Sequence, residues 1–448
     1  YNQRSLPLHD MLKVAERRLS LTVIPEAVKG VRGLTNDART PEPLEKGLLR
    51  AKHDISVFKD GTVRFDATNA PLTHFRPAEI DVEVEKLRDL GYAFDFCGDP
   101  LVSKDQCCSL KIHDVIVPEQ CGEYFVRLSK FLDELLQTFY GLPPFYRVHN
   151  RQDLVGHLVV GLSPHTSVGV IGRIVGFTKA SVCFAHPFWH AAKRRDCDGD
   201  EDSVSLALDI LLNFSKQFLP SRIGGIMDAP ILLTIGIKPS EIARQAFNVE
   251  TVERLPLRFF DETLRRSDPK ALTDLIETVH TRLGSTAVLD SLGFTHRIGD
   301  VNTGNLESSY KKLGSMVDKV TAQLRLAESI RAVDAGEVAK RVLSTHFMRD
   351  LTGNLKAFAG QRFRCTKCNS KFRRVPLKGA CTRCGGKLSL TVYKGSVEKY
   401  LTVAQDLVKR YKLGAYHEQR LVLLRAEIES LFSEQEEKKK QPSLAQFV

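Results

Sequence analysis

Nowhere in its 448 residues does the chain carry an apolar run near the roughly 20 residues of a membrane span. It also lacks a secretory leader, and it begins at Tyr1 and not Met, so the sequence is expected to be a segment of a longer product. A disulfide framework is missing too. Cys97, Cys107, Cys108, Cys121, Cys183 and Cys197 are irregularly spaced, which favours reduced thiols that pack as small apolar residues. What remains is ordinary for a protein with a packed core, 42% hydrophobic and 27% charged, with a net charge of +11 that suits a polyanionic partner.

The chemistry concentrates in Lys193-Arg-Arg-Asp-Cys-Asp-Gly-Asp-Glu-Asp202, where five acidic residues follow three cations. Like charges this close repel, and a divalent cation relieves the repulsion. Asp198 and Asp200 flank Gly199, which lets the backbone turn two carboxylates toward one point, and carboxylate oxygens are the hard ligands Mg²⁺ prefers. A solvated acidic turn is the competing reading, with Asp202 and Ser203 capping a helix over Val204–Leu219. An EF-hand is excluded, because with Asp196 as its first position the required Gly and bidentate Glu are Glu201 and Ala207. Lys193, Arg194 and Arg195, and Arg173 further back, are candidates to hold phosphate oxygens or to act as structural counter-charge. His157, His165, His186 and His190 fall in the same region and read as core or turn residues more readily than as ligands.

A second motif is Cys365-x-x-Cys368 followed by Cys381-x-x-Cys384. Four thiolates at that spacing suit a closed, structural Zn²⁺ site. Between Gln361 and Tyr400, eleven Lys or Arg stand against the single acid Glu398, nearly the entire excess charge of the chain. These cations suit DNA or an acidic partner subunit.

Along the chain, residues 1–80 read as short strands and loops, with a hairpin over His53–Asp66, and 81–149 as helices around a β run leading into a barrel. Strand patterns follow at Gly156–Leu162, Ser167–Ile174, Ser181–Phe184 and Ile231–Ile237, placing a small barrel at 150–238. Beyond it lie a helical accessory region at 239–360, including helices at Glu241–Phe247 and Lys270–Leu283, the cysteine module at 361–396 and helices at 397–437. The tail 438–448 ends in Gln441, Leu444, Phe447 and Val448, a spacing that fits one tight turn entering an apolar pocket.

Several of these stretches together closely resemble the large subunit of archaeal family D DNA polymerase. They are Pro43–His53, Phe58–Thr62, Arg64–Asp66, Pro71–His74, Gly156–Ser167, Gly172–Phe177, Ala185–Pro187, His190–Arg195, Cys197–Asp202 and Met227–Pro230. The resemblance implies an α+β fold with a double-psi β-barrel, helical accessory regions and a zinc module. It further implies a DNA-directed DNA polymerase in which Asp198 and Asp200 bind catalytic Mg²⁺, and an upstream first barrel not recognisable here. Asp196 stands where the family usually has Asn, and is a candidate third ligand. Implied partners are primer-template and dNTP, a small subunit with a metallophosphoesterase exonuclease, and a PCNA-type sliding clamp bound by the tail, in an archaeal, nucleoid-associated, cytoplasmic setting. The alternative is a non-catalytic zinc-containing subunit that docks the exonuclease subunit and the clamp.

Overall fold

The computed structural model describes the chain apart from residues 1–6, 22, 24, 32–41, 220–225, 239–240, 243, 286–287, 289–291, 293–294, 296–298 and 439–448, and apart from the side chains of 245, 310 and 433–438. The clamp-peptide residues Gln441, Leu444, Phe447 and Val448 therefore lie outside the described residues. The chain divides into two units, Tyr1–Pro256 with Lys270–Lys312, and Leu257–Pro269 with Leu313–Val448.

In the first unit, helices α1 (Leu8–Arg18) and α2 (Leu44–Lys52) precede strand β1 (Phe65–Pro71). The short strands β2 (His74–Phe75) and β3 (Cys108–Ser109) pair with each other around α3 (Val84–Asp89). Then come β4 (Asp114–Pro118), α4 (Glu119–Leu135), β5 (Leu158–Leu162), β6 (Val168–Thr178), β7 (Val182–Ala185), α5 (Pro187–Ala192), β8 (Glu201–Leu206), α6 (Ala207–Asn213) and β9 (Leu232–Thr234).

Six strands close on themselves in the order β4-β7-β1-β8-β5-β6 and back to β4, with β9 added to β6. Of the six pairings in the ring, two are parallel, β1 with β7 and β4 with β6, and four are antiparallel; β9 joins β6 in parallel. Parallel neighbours need long crossovers, so this small barrel is interlaced in sequence, consistent with a double-psi barrel, and closure leaves it no open edge. Strand β4, Asp-Val-Ile-Val-Pro, is buried along its whole length, as a strand covered on both faces must be. Helix α4 lays Cys121, Phe125, Leu128, Phe131, Leu132 and Leu135 into the same core as Val159, Ile174, Phe177, Trp189 and Leu206. Gly161 is where that packing admits no side chain, since a Cβ there would lie 2.4 Å from the Trp189 ring.

The architecture departs from the sequence reading in four places. Two of the six barrel strands, β1 and β4, come from ahead of residue 150, because each needs its partner from beyond the crossover. Among the described residues of 1–80 there are two α-helices, and His53–Asp66 forms no hairpin: Ile55 N–H bonds back to Arg50 O, and Phe58 N–H to Thr62 O closes a turn. The expected helix over Val204–Leu219 begins late, since Val204–Leu206 complete β8 against β1 and β5, and the helix ends at Asn213. Glu241–Phe247 and Lys270–Leu283 contribute only 3₁₀ turns; the latter, with α8 at Ser309–Lys312, belong to the first unit.

The second unit is helical: α7 (Leu257–Leu264), α9 (Met316–Ser329), α10 (Ala335–Val342), α11 (Met348–Gly360), α12 (Lys394–Glu398), α13 (Leu401–Tyr411) and α14 (Ala415–Lys438). Leu324, Leu343, Phe347, Leu351, Leu407 and Leu424 share its main core. Between α11 and α12 sits the cysteine module, a three-stranded sheet in the order β11 (Lys371–Phe372), β10 (Phe363–Cys365), β12 (Leu388–Ser389). No helix among the described residues is long and apolar enough to cross a membrane.

Candidate active site and metal centres

The acidic run forms the loop between α5 and β8, and its two ends are tied together. Lys193 closes α5 with a side chain that has no exposed surface; its ammonium pairs with the equally buried Asp202, donates to Asn69 Oδ1 at 3.1 Å and lies 4.2 Å from the Trp189 ring centre. Asn69 on β1 completes the knot, donating Nδ2 to Asp202 Oδ2 at 2.9 Å and its backbone N–H to Asp200 O at 2.9 Å. A buried charge survives only when paired and hydrogen-bonded, so residues 193 and 202 are committed to holding the loop. Lys193 is therefore turned inward, and not toward solvent where a phosphate could reach it.

Within the loop, Asp196 and Asp198 are exposed and Gly199 takes a φ of 118°, with nothing within 4 Å of the position a Cβ would fill. Glycine is required there by backbone conformation and not by space. Arg194 is exposed, with a φ of 61°. Arg195 reaches back, its Nε 3.1 Å from Asp200 Oδ2 and 3.7 Å from Asp202 Oδ1, yet neither Nε nor Asp202 Oδ1 has an aligned hydrogen bond. Burial raises the Asp200 carboxyl above its ordinary pKa, Arg195 opposes this, and the charges of Asp198, Asp202 and Asp196 add to it. Oxygen donors that repel one another on a turn fit a hard divalent cation. Among the described residues the three aspartates do not gather as tightly as the four cysteines do.

Arg173 is elsewhere. It stands opposite Leu158 on β5, whereas β8 meets β5 near the acidic loop at Ser203↔Leu162, four residues or about 14 Å along the strand. Its guanidinium is held bidentately by Asp114, at 2.8 Å for each bond. His186 and His190 are buried in the barrel unit; burial lowers the His186 pKa to about 4 and holds that of His190 well below its ordinary value. His157 is half-buried against Tyr146, its ring centre 4.9 Å away. Only His165 faces solvent, with 81% of its side chain exposed.

His165 borders a cavity of about 430 Å³ beside the acidic loop, shared with Arg64, Asp66, Ser163, Glu201 and Ser203. Asp228, from the Met-Asp-Ala-Pro run, ties its rim by accepting from Lys59 Nζ at 2.9 Å and from the His165 backbone N–H. Sequence patterning did not single out Asn69, since nothing local marks a polar residue whose role depends on a strand pairing.

The four cysteines do come together. Cys365 and Cys384 sulfurs are 3.4 Å apart, Cys368 and Cys381 3.5 Å, and all four lie within 4.8 Å of one another. A tetrahedral zinc with Zn–S bonds of roughly 2.3 Å spaces its sulfurs by about 3.8 Å, so the donor set fits. Hydrogen bonds from the Ser370 hydroxyl and backbone pull the Cys368 thiol down to about 6, toward the thiolate a metal binds.

A closed interlaced barrel bearing an Asp-Gly-Asp loop, followed by a four-cysteine cluster that could hold a metal ion, defines the class of barrel protein to which the chain belongs. The family described as "DNA polymerase II large subunit DP2, catalytic domain" matches residues 22–319, and the chain belongs to that family. It is 51% identical over 432 residues to the DNA polymerase II large subunit of Pyrococcus furiosus, covering 96% of this chain and 34% of that one. With the large subunit of Archaeoglobus fulgidus the identity is 48% over 448 residues, 100% of this chain and 39% of the relative. With that of Methanosarcina barkeri it is 51% over 407 residues, 91% and 36%. The chain thus spans between a third and two fifths of the relatives it matches.

Proposed function

We propose that this chain is the catalytic carboxyl-terminal portion of a DNA-directed DNA polymerase large subunit, acting on a primer-template and dNTP. The supporting observation is the acidic loop, pinned at both ends by Lys193, Asp202 and Asn69 on the barrel of a family whose matched region is named a catalytic domain. Asp198 and Asp200 would hold Mg²⁺, with Asp196 as third ligand. Bound there, Mg²⁺ supplies activation of the primer 3′-hydroxyl and neutralisation of the triphosphate oxygens. The chain's own contribution is position: the buried knot fixes the loop ends, Gly199 turns the carboxylates, and Arg194 and Arg195 offer guanidinium groups for phosphate oxygens. Zn²⁺ in the Cys365, Cys368, Cys381 and Cys384 site is structural.

The carboxyl-terminal helices would dock the small exonuclease subunit. The open apolar groove along α11 and α14, with Leu355, Leu423 and Leu431, supports that assignment, and Gln441–Val448 would bind the sliding clamp. The cellular setting is the archaeal cytoplasm, at the nucleoid. A purely docking role would leave the knotted acidic loop without a purpose.

Primer extension by the enzyme assembled with its upstream half and small subunit tests the reading. Asp198→Ala and Asp200→Ala should each abolish nucleotide addition while duplex binding persists, and Asp196→Asn should raise the Mg²⁺ needed for half-maximal extension. Near wild-type extension by either alanine variant removes the polymerase assignment from this loop.

A further inference from the structure

Residues 362–387 hold nine lysines and arginines and not one carboxylate. All nine side chains are exposed, and none makes an ion pair among the described residues. Two of them, Arg364 and Lys371, are placed by the sheet. On β10 and β11, Arg364 stands directly across from Lys371 and Phe363 from Phe372; on β10 and β12, Arg364 faces Ser389 and Cys365 faces Leu388. Strand alternation therefore sorts Phe363, Cys365, Phe372 and Leu388 to one face, with the metal thiolates, and Arg364, Lys371 and Ser389 to the other. Two cations directly opposed on neighbouring strands destabilise a sheet. A ribbon this small keeps them at a cost that an anion laid across the face would remove.

The geometry points to this face of the zinc module as a binding surface for the phosphate backbone of duplex DNA, separate from the barrel's acidic loop. The inference rests on the polymerase reading for the identity of the polyanion. Duplex is favoured over single-stranded DNA because the cation face carries no aromatic ring on which an unpaired base could stack; both phenylalanines lie on the opposite face. An acidic protein is disfavoured because the strand face offers no apolar anchor of the kind that dominates protein interfaces, whereas phosphates are held by cations alone.

Fluorescence anisotropy of a labelled duplex and of its single strand, titrated with the full chain at several NaCl concentrations, tests this. Arg364→Gln with Lys371→Gln should weaken duplex binding about tenfold near 0.1 M salt and flatten the slope of log K against log[salt] by roughly 2, one phosphate per lost cation. Metal analysis of the variant confirms that the module still folds. An unchanged affinity and slope overturn the inference. So does a larger loss for the single strand, which would make the face a stacking channel, and so does failure to bind the small subunit with duplex binding intact, which would make it a protein interface. Failure of the polymerase reading shows separately, as extension by Asp198→Ala.

Discussion

Arg195 supplies positive charge between two carboxylates of the acidic loop. Its guanidinium neutralises Asp200 at 3.1 Å and leaves Asp202 Oδ1 at 3.7 Å without an aligned donor, so it sits between two carboxylates and satisfies neither well. A divalent cation at Asp200 competes with that guanidinium. Because the pair is about one-third exposed, its strength is that of a screened surface contact, and removal of the arginine should tighten metal binding two- to fivefold. Mn²⁺ titration of Arg195→Ala, read by paramagnetic resonance, should show this lower half-saturation; a weaker affinity would mean that Arg195 positions Asp200 for the metal and does not compete. The neighbouring cation has the opposite fate. Lys193 reads identically in sequence, yet its place at the end of α5 drives it into the barrel, where it pairs with Asp202. Three adjacent basic residues thus divide into a buried strut, a free guanidinium and a counter-ion, and only burial separates them.

At the scale of elements, the cysteine module shows what spacing encodes well. Across residues 361–390, all of them described, only Cys365 and Cys381 are buried, so the module's interior is its cysteine cluster. A segment that cannot bury a core folds on its metal. Replacing all four cysteines by serine should abolish the one zinc per chain in metal analysis and open Gln361–Tyr393 to limited proteolysis, while the barrel unit stays resistant; a protected, zinc-free module would refute the structural role. The acidic loop was equally legible, since five carboxylates in seven residues need no context. Its anchor was not, because Asn69 lies 133 positions from Asp202 and becomes a neighbour only through the pairing of β1 with β8. The same long-range pairing explains why β8 read as helix. Val-Ser-Leu-Ala-Leu-Asp-Ile-Leu-Leu satisfies a helical stripe and a buried strand alike, and β1 and β5 take its first residues. Helix α4, stabilised by its own apolar stripe, lies within the stretch 81–149 that reads as helical in sequence.

For the whole molecule, the net charge of +11 is carried almost entirely by the stretch around the cysteines, so the barrel unit is close to electrically balanced and its pH response depends on single buried groups. Asp209, at the start of α6, is the clearest of these. It has no exposed surface, accepts from the Val63 backbone N–H at 2.7 Å and from Asn213 Nδ2 at 2.8 Å, and burial nonetheless lifts its pKa from 3.8 to about 6. A carboxyl whose folded pKa is raised binds its proton more tightly in the native state. Its contribution to stability is therefore complete below about 4 and is lost as pH rises through about 6, by roughly 3 kcal/mol for a shift of this size. Buried His186, lowered to about 4, works the other way, with stability present above its ordinary 6.5 and lost as pH falls toward 4. The two effects overlap in one window, so the wild-type profile alone does not separate them. Asp209→Asn does: its constant packing cost cancels when the barrel unit's unfolding free energy is compared at pH 4 and pH 7. The variant should lose roughly 2 kcal/mol less than wild type between those two values in urea denaturation. Identical pH 4 to pH 7 differences in the two proteins would show that Asp209 is ionised throughout, held so by its hydrogen bonds to Val63 and Asn213.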